Sequence, residues 1–446
     1  MDSRKWWQAP MRVMQYNLQV KDTPGMDAEQ IARETEELGC NAVVMNVGGI
    51  YAWYPSKIRY HHINEYLPEG RDLLEELTQA FHRRGIRFIA RFDFSIAEDT
   101  VYLEHPEWFA RGADRQPFFQ GEKRMGSWSL FLTTCAYGGY RNGEVAVPVL
   151  REALSRYDID GVFLNAPQAA VCFCEKCRAK YEERYGVAMP ESAPEFAQDW
   201  LSMATKDNIA NLNRAIKETD PEIPLILYYQ PFAHFSGGHS PKRFDRDSIY
   251  DRYATADLIC TESQDILSRG VNAIPGTSHT VLAMKAGQRD DEALRPFGII
   301  HSCPGMDWRH VGLPEAEYLP WMAQVPAGGA VLWHSVTGYP DSILDKRVLK
   351  ACGRINHMIE KTEKSMDGAK SCSDVLLAWN SDPASISMGD GLVKNQITFD
   401  LLQDYSVNYA QSAWKQRQSE CLSDRVEYAG MPDEFRSFAR IHQKGE

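Results

Sequence analysis

The chain lacks the segments that carry a protein into or across a membrane. Its N-terminal stretch, MDSRKWWQAPMRVMQYNL, has no apolar run long enough for a signal peptide. Nowhere does it contain the run of about 18 apolar residues that a membrane-spanning helix needs. Its 10 cysteines, without a secretory signal, are typical of reduced thiols. We therefore expect a cytoplasmic protein with no membrane partner.

Positive charge is also scarce. Lys and Arg number 49 against 61 Asp and Glu, and the net charge is −12. A face that binds nucleic acid must be basic, so no nucleic-acid partner is expected. The pair Gly48-Gly49 has no Gly-x-Gly-x-x-Gly or Gly-Lys-Ser/Thr motif around it and predicts no phosphate cradle. We expect no organic cofactor.

What the chain does contain is an alternation of strand and helix signals, typical of a parallel α/β protein. Predicted strands cover 12–18, 41–47, 86–91, 161–165, 224–229, 256–260, 297–301 and 329–333. Predicted helices cover 27–38, where Asp27 is the N-cap, then 71–84, 144–157, 199–219, 280–288, 315–324 and 346–361. Eight strands with interposed helices predict a (β/α)₈ TIM barrel over residues 1–365. A further strand at 374–379 opens a short, apparently incomplete C-terminal α/β extension, 366–446.

The ends of the predicted strands are polar almost throughout. In a barrel of this kind, side chains at the carboxyl ends of the strands face the active site. These ends hold Asn17, Asn46, Asp93, Asn165, Tyr229 with Gln230, Glu262, His301 and His334. As a set they can bind hydroxyl groups and move protons, and we predict that Asn165, Tyr229, Gln230, His301 and His334 bind substrate.

Two carboxylates are the candidates for catalysis. Glu262 follows an apolar strand directly, and a carboxyl group in an aromatic-lined cleft has the raised pKa of a general acid. Its alternative role is a carboxylate at a helix start. Asp93 is the second candidate; it could instead pair with Arg91, itself a candidate substrate ligand, or cap the next helix. Asp22 is weaker because KDTPG is also an ordinary turn.

Aromatic residues are plentiful, with 11 Trp and 20 Tyr. The stretch Gly48–Ser56 carries Tyr51, Trp53 and Tyr54, which either stack on sugar rings or pack the loop itself. The loop after the seventh strand, SCPGMDWRH, adds Asp307, Trp308 and His310. We predict that the stacking surfaces are Trp53, Tyr54, Trp308 and Trp333.

A Cys-x-Cys-x-x-Cys cluster follows the fourth predicted strand: Cys172, Cys174 and Cys177. Three thiols so close together can share one metal, and tetrahedral zinc needs a fourth ligand. Cys135 is the best candidate for it, and Cys40, Cys260 and Cys303 are the alternatives. A site with four thiolates is normally closed, so the zinc is expected to be structural rather than catalytic.

Several stretches resemble a known family. The segments VVMNVGGIYAWYPSKIRYHH, GRDLLEEL, GIRFIARFDFS and EHPEWFAR are similar to the hypothetical glycosyl hydrolase 6 family, bacterial barrel proteins named for their similarity to glycosidases. The likeness runs from about Met14 through Asn165 and the cysteine cluster, and more loosely to Tyr339. The cluster itself resembles the zinc site of family 42 β-galactosidases. DVLLAWNSDPAS and MPDEFRSFAR resemble the start of a β-galactosidase trimerisation-like domain, which allows a homo-oligomer.

The resemblance implies a glycoside hydrolase of carbohydrate metabolism that acts on a small glycoside or oligosaccharide. Family 42 enzymes carry a Glu after strand four and another after strand seven, where this chain has Asn165 and His301. Fucosidase-like barrels use an Asp after strand four. These departures argue against a retaining mechanism with a strand-four nucleophile. They leave an inverting one, with Glu262 or a His as acid and Asp93 or Asp22 as base.

Two other functions stay open. A barrel that binds carbohydrate without cleaving it is consistent with Asn165 in place of a carboxylate. A metal-dependent hydrolase or isomerase would use His301 and His334 with Asp93 or Glu262 as ligands. No His-x-His or His-Glu-x-x-His spacing supports that third function.

Overall fold

The structure, a computed structural model, describes residues 5–120, 130–197, 199–228, 256–263, 276–286, 295–305 and 308–367. Beyond these it describes residues 369, 371, 373, 375–379, 383–403 and 427–429. No helix in these ranges is both long and apolar enough to span a bilayer.

Eight parallel strands close into a barrel, in the order β1-β11-β10-β9-β8-β7-β3-β2. Their bounds are β1 Val13–Asn17, β2 Ala42–Gly49, β3 Arg87–Asp93, β7 Gly161–Leu164, β8 Leu225–Tyr228, β9 Leu258–Ser263, β10 Phe297–His301 and β11 Val331–Thr337. The predicted (β/α)₈ barrel is therefore confirmed. The last strand extends further than the sequence predicted.

Helices surround the barrel, as the spacing of apolar residues predicted. Their bounds are α1 Ala28–Glu37, α2 Leu73–His82, α3 Asp99–Glu104, α4 Ala146–Arg156, α5 Glu175–Tyr185, α6 Trp200–Thr219, α7 Gly276–Ala286, α8 Glu315–Ala327 and α9 Arg347–Met366. Asp27 caps α1 as predicted, since its side chain accepts a hydrogen bond from the Gln30 backbone N–H.

The barrel interior is filled by alternate residues of each strand. One buried cluster contains Val13, Ala42, Val44, Ile89, Phe163, Ile226, Leu258, Cys260, Phe297, Ile299, Val331 and Trp333. Burying each larger apolar side chain contributes roughly 1.5–3 kcal/mol. Trp6 and Trp7 pack against this cluster from the amino-terminal end of the strands. These two rings cover that end of the barrel interior.

Two small sheets stand outside the barrel. Strands β4 Ile96–Glu98, β5 Phe119–Gln120 and β6 Phe131–Thr133 form an antiparallel sheet just after β3. Strands β12 Val375–Trp379, β13 Phe399–Gln403 and β14 Glu427–Ala429 form a parallel one, accompanied by α10 Pro383–Lys394. The division of the chain at residue 365 stays a prediction.

Candidate active site

The inward positions of the strands change from apolar to polar at the carboxyl end of the barrel. Along each strand, the polar residue follows the last apolar interior residue by two positions: Glu262 follows Cys260, His301 follows Ile299, and Asn165 follows Phe163. The same spacing separates Trp333 from Ser335. Since alternate side chains share a face of the sheet, these polar groups converge above the apolar layer. We call this polar layer the barrel mouth.

Glu262 and His301 form a hydrogen-bonded pair in the mouth. The Nε2 atom of His301 is bonded to the Oε1 atom of Glu262, and both side chains are largely enclosed. Burial lowers the pKa of His301, but the Glu262 carboxylate and a hydrogen bond with Cys303 outweigh it and leave that pKa raised. The Tyr228 hydroxyl also bonds Glu262, and its pKa is raised by burial and by that carboxylate.

Asp93 lies at the end of β3, held by donors on both oxygens. Its Oδ1 atom accepts hydrogen bonds from the Ser95 backbone N–H at 3.0 Å and from the Ser95 hydroxyl. Its Oδ2 atom accepts one from the Asn165 amide at 2.7 Å. Every one of these partners donates, so both oxygens of Asp93 act as acceptors.

The backbone next to Asp93 admits only glycine. Gly49 has φ +108°, and a Cβ atom there would lie 2.0 Å from the Asp93 carbonyl oxygen. The Gly49 N–H donates to Nε2 of His61 at 3.1 Å. Burial lowers the pKa of His61 to about 3, which keeps its ring neutral and able to accept. The glycine pair therefore shapes the mouth rather than a phosphate site.

Arg91 also faces the mouth, two residues before Asp93. Its Nε atom is buried and has no hydrogen-bond partner. Burial lowers the pKa of Arg91, and Arg309 lowers it further. The carboxylates of Asp93 and Glu262 raise that pKa. Asp93, Glu262 and Arg309 therefore lie within electrostatic range of the guanidinium. The ion pair considered as the alternative role of Asp93 is not seen among the described residues, where Asp93 bonds Ser95 and Asn165 instead.

Sequence reasoning missed Arg141. This buried side chain donates to the backbone carbonyls of Ala166 and Gln168, both at 3.0 Å. It thereby fixes the loop that follows Asn165, where Ala166 has the uncommon φ of 45°. Nothing local marks Arg141, because its partners are backbone atoms more than twenty residues away in the chain.

The predicted stacking by Trp53 and Tyr54 is wrong. Both side chains are buried in the loop after β2. The Tyr54 hydroxyl donates to Glu152 on α4 at 3.0 Å, and its ring packs edge-on against Tyr157. These aromatics pack the loop itself, which was the alternative interpretation.

The predictions for Trp333 and His334 are wrong as well, for one reason. Strand β11 runs on to Thr337, so Trp333 lies in the apolar layer, where its Nε1 donates to Gln15 at 2.9 Å. His334 then points outwards and donates from Nε2 to Asn356 on α9 at 2.8 Å. Burial lowers the pKa of His334 to about 4. The inward residue at this level is Ser335, which accepts from Asn17 at 2.8 Å.

The loops above the mouth supply the remaining candidates. Trp308 is 53% exposed and offers an accessible ring. The Asp22 carboxylate accepts from the Gln19 backbone N–H at 2.8 Å, and burial raises its pKa. The Gln19 side chain lies 3.1 Å from Nε2 of His310. Tyr229, Gln230 and Asp307 lie outside the described residues.

The four predicted metal ligands come together. The Cys135 sulfur lies 3.6 Å from Cys174, 3.4 Å from Cys177 and 3.9 Å from Cys172. All four ligand atoms fall within 4.8 Å of one another. Ligands at about 2.3 Å from a tetrahedral zinc lie roughly 3.8 Å apart, so the spacing fits one ion. The cluster could hold a metal, with Cys135 as the fourth ligand.

The other cysteines considered as the fourth ligand lie elsewhere. Cys40 accepts from Asn356 beneath α9, and the Cys260 thiol donates to the Leu227 carbonyl inside the barrel wall. Within the described part of the chain, the four-cysteine cluster is the only group of His, Cys, Asp and Glu with metal-binding spacing. The outward position of His334 removes the ligand set of the metal-dependent alternative.

Comparisons with known proteins agree with this architecture. Residues 27–166 match the model of a family described as hypothetical glycosyl hydrolase 6. The resemblance predicted from the sequence is thereby confirmed. No curated protein matches the chain.

Solved structures of glycosidases share the barrel. The α-L-fucosidase isoenzyme 2 from Paenibacillus thiaminolyticus matches with a TM-score of 0.69 at 16% identity, over 89% of this chain and 58% of that one. The β-galactosidase from the psychrophilic Marinomonas ef1 matches with a TM-score of 0.62 at 11% identity, over 89% of this chain and 70% of that one. A GH42 β-galactosidase from G. stearothermophilus matches with a TM-score of 0.61 at 14% identity, over 90% of this chain and 67% of that one. The chain thus spans little more than half the length of the fucosidase.

Proposed function

We propose that this protein is a glycoside hydrolase that cleaves a small glycoside or oligosaccharide by carboxylate acid/base chemistry. The observation that carries the proposal is the hydrogen bond between Glu262 and His301 in a mouth that also holds Asp93. Glycoside hydrolysis needs one carboxyl group that gives a proton and one that is ionised. The family match over residues 27–166 and the glycosidase barrels support the same reaction class.

The hydrogen bonds distinguish the two roles. Glu262 and His301 are two basic groups that hold a proton between them, so the pair can deliver it to the leaving-group oxygen. Asp93 accepts hydrogen bonds on both of its oxygens and is the proposed base that activates a water molecule. An amide at Asn165 leaves no nucleophile after the fourth barrel strand. We therefore propose an inverting mechanism, with Glu262 as acid in concert with His301.

Other mouth residues bind the sugar in this proposal. Asn165 and His301 contact its hydroxyl groups, Arg91 is a further substrate ligand, and Trp308 supplies the exposed ring against which an apolar sugar face packs. Tyr229 and Gln230 keep their predicted roles as substrate ligands outside the described residues. The extension 366–446 is proposed as a separate unit after a barrel of 1–365.

We propose zinc as the occupant of the cysteine cluster. When bound, it supplies structural cross-linking rather than chemistry, because all four ligands are thiolates. The Arg111 N–H donates to the Cys172 sulfur at 3.4 Å, and Arg111 carries the carbonyl that accepts from the Phe173 N–H at 2.8 Å. The cluster thus ties the segment before Cys135 to the loop that follows Asn165.

The test is turnover of nitrophenyl and methylumbelliferyl glycosides of both anomers by the purified protein. The panel includes α-fucoside, β-galactoside and sialoside. The proposal expects one member to be cleaved, and proton NMR of the first sugar released to show the inverted anomer. A retained anomer would contradict the assigned roles.

A folded protein that binds a sugar but cleaves none would instead support the carbohydrate-binding barrel. The hydrogen bond that commits the Asn165 amide to Asp93 is the observation that keeps this second function open. Calorimetry with the sugars of the same panel separates the two functions.

A further inference from the structure

Two neighbouring polar atoms in the barrel mouth are buried without hydrogen-bond partners. They are Nε of Arg91 and Oδ1 of Asn46. The two residues are in register on adjacent strands, and both occupy inward positions. An enclosed donor or acceptor without a partner is unfavourable, and a ligand that bonds both atoms removes that cost.

The carboxylates nearest to Arg91 do not use up its hydrogen bonds. Asp93 is bonded by Ser95 and Asn165, and Glu262 by His301 and Tyr228. Among the described residues, the guanidinium of Arg91 has electrostatic neighbours but no carboxylate hydrogen-bonded to it.

Further arginines lie near Arg91 and Asp93, although the whole chain is acidic. Arg309 lies within electrostatic range of Arg91, and Arg141 within range of Asp93. The carboxylates of Asp93 and Glu262 also lie within electrostatic range of Arg91. The positive charges of Arg91 and Arg309 repel each other, and an anion bound near both relieves the repulsion.

We propose that the site takes a glycoside whose sugar ring carries a carboxylate, with Arg91 as its recognition residue. This inference rests on the proposed glycoside hydrolysis and names its substrate class. A guanidinium binds a carboxylate through two parallel hydrogen bonds, which a neutral hydroxymethyl group cannot match. Asn46 accepts a hydroxyl beside it, and Arg309 adds charge from the loop after β10. Hexuronic acids and sialic acids both present this group.

The experiment compares matched pairs of substrates that differ only in the carboxylate. The pairs are glucuronide with glucoside and galacturonide with galactoside, as nitrophenyl derivatives of both anomers, with a sialoside as a separate arm. We expect kcat/KM for one acidic glycoside to exceed that of its neutral partner by at least about 10-fold. The arm that responds shows whether the acid is a uronic or a sialic one.

Variants assign the preference to Arg91. Arg91→Gln should lower kcat/KM for the acidic substrate by roughly 10- to 100-fold more than kcat/KM for its neutral partner. Arg151→Gln, an exposed arginine paired with Glu218, is the matched control and should change neither. Arg309→Gln, at an exposed position, should lower kcat/KM for the acidic substrate more than for its neutral partner, by a smaller factor than Arg91→Gln. It serves if Arg91→Gln does not fold.

Equal rates on acidic and neutral partners, or an equal loss of both in Arg91→Gln, would overturn the inference while leaving the glycosidase in place. The absence of turnover with every glycoside would count against the proposed function instead. Calorimetry with glucuronate, galacturonate, N-acetylneuraminate and the neutral hexoses then decides the inference. Binding of an acid that Arg91→Gln abolishes supports it, and binding without preference for the acid contradicts it.

Discussion

Asn165 donates a hydrogen bond of 2.7 Å to the Oδ2 atom of Asp93, joining the carboxyl ends of two neighbouring barrel strands. The side chain after the fourth barrel strand therefore orients a carboxylate instead of being one. With Ser95 on the other oxygen, Asp93 is held in one orientation. This relationship supports the proposed role of Asp93 as the base.

Changing Asn165 to Asp should move the pH dependence of catalysis. A second carboxylate beside Asp93 disfavours the ionised state of both groups, so the pKa of Asp93 rises. We expect the acidic limb of the kcat/KM profile to shift to higher pH and the maximal rate to fall. Asn395→Asp, at an exposed position on the protein surface, is the control for added charge. Superimposable profiles for Asn165→Asp and the wild type would show that Asp93 does not set this limb.

The sequence predicted the barrel because its information is local. Each strand is a short apolar run, and each helix has an apolar face, so neither depends on distant residues. The polar residues at strand ends were equally visible. Glu262, His301, Asp93 and Asn165 all reach the mouth because their strands end near the predicted positions.

Which side of a strand a residue faces was harder to predict. The sequence predicts that the last barrel strand ends at Trp333, but β11 continues to Thr337. Trp333 therefore lies deeper in the barrel, His334 points outwards, and Ser335 is the inward residue at the mouth. Strand β8 is described from Leu225 to Tyr228, and Tyr229 lies outside the described residues. In a structure with a side-chain period of two, an error of one residue at a strand end reverses the side chain's direction.

Contacts over long sequence distances could not be predicted at all. Arg141 donates hydrogen bonds to backbone carbonyls, and Glu152 on α4 accepts one from the Tyr54 hydroxyl. Neither partnership leaves a motif in the sequence, because both depend on how the loops pack on the barrel. The cysteine cluster is the exception, since its spacing alone indicated three of four ligands.

Stability should depend on pH through His301. Its pKa is raised in the folded protein, so the stabilisation is fully present below the unfolded pKa of about 6.5 and is lost as the pH rises through the folded pKa. Glu262→Gln removes the carboxylate that raises this pKa. We therefore expect the melting temperature of the wild type to fall more steeply than that of Glu262→Gln between about pH 6 and about pH 9. Parallel curves would mean that the pair holds no extra proton.

The cysteine cluster should retain a metal through purification. We expect roughly one zinc ion per chain by elemental analysis, and loss of that metal with a lower melting temperature in Cys174→Ser. Cys40→Ala, another buried thiol, is the matched control and should keep the metal. Zinc content unchanged in Cys174→Ser would remove this residue from the ligand set.

Turnover by Glu262→Gln tests the central claim most directly. The substrate is whichever glycoside the wild type cleaves fastest, and Glu218→Gln, an exposed carboxylate paired with Arg151, is the control. The account predicts that kcat falls by about 10²- to 10⁴-fold in Glu262→Gln, with the fold intact by circular dichroism, and stays unchanged in the control. A folded Glu262→Gln protein that cleaves the substrate at a rate near that of the wild type would contradict it.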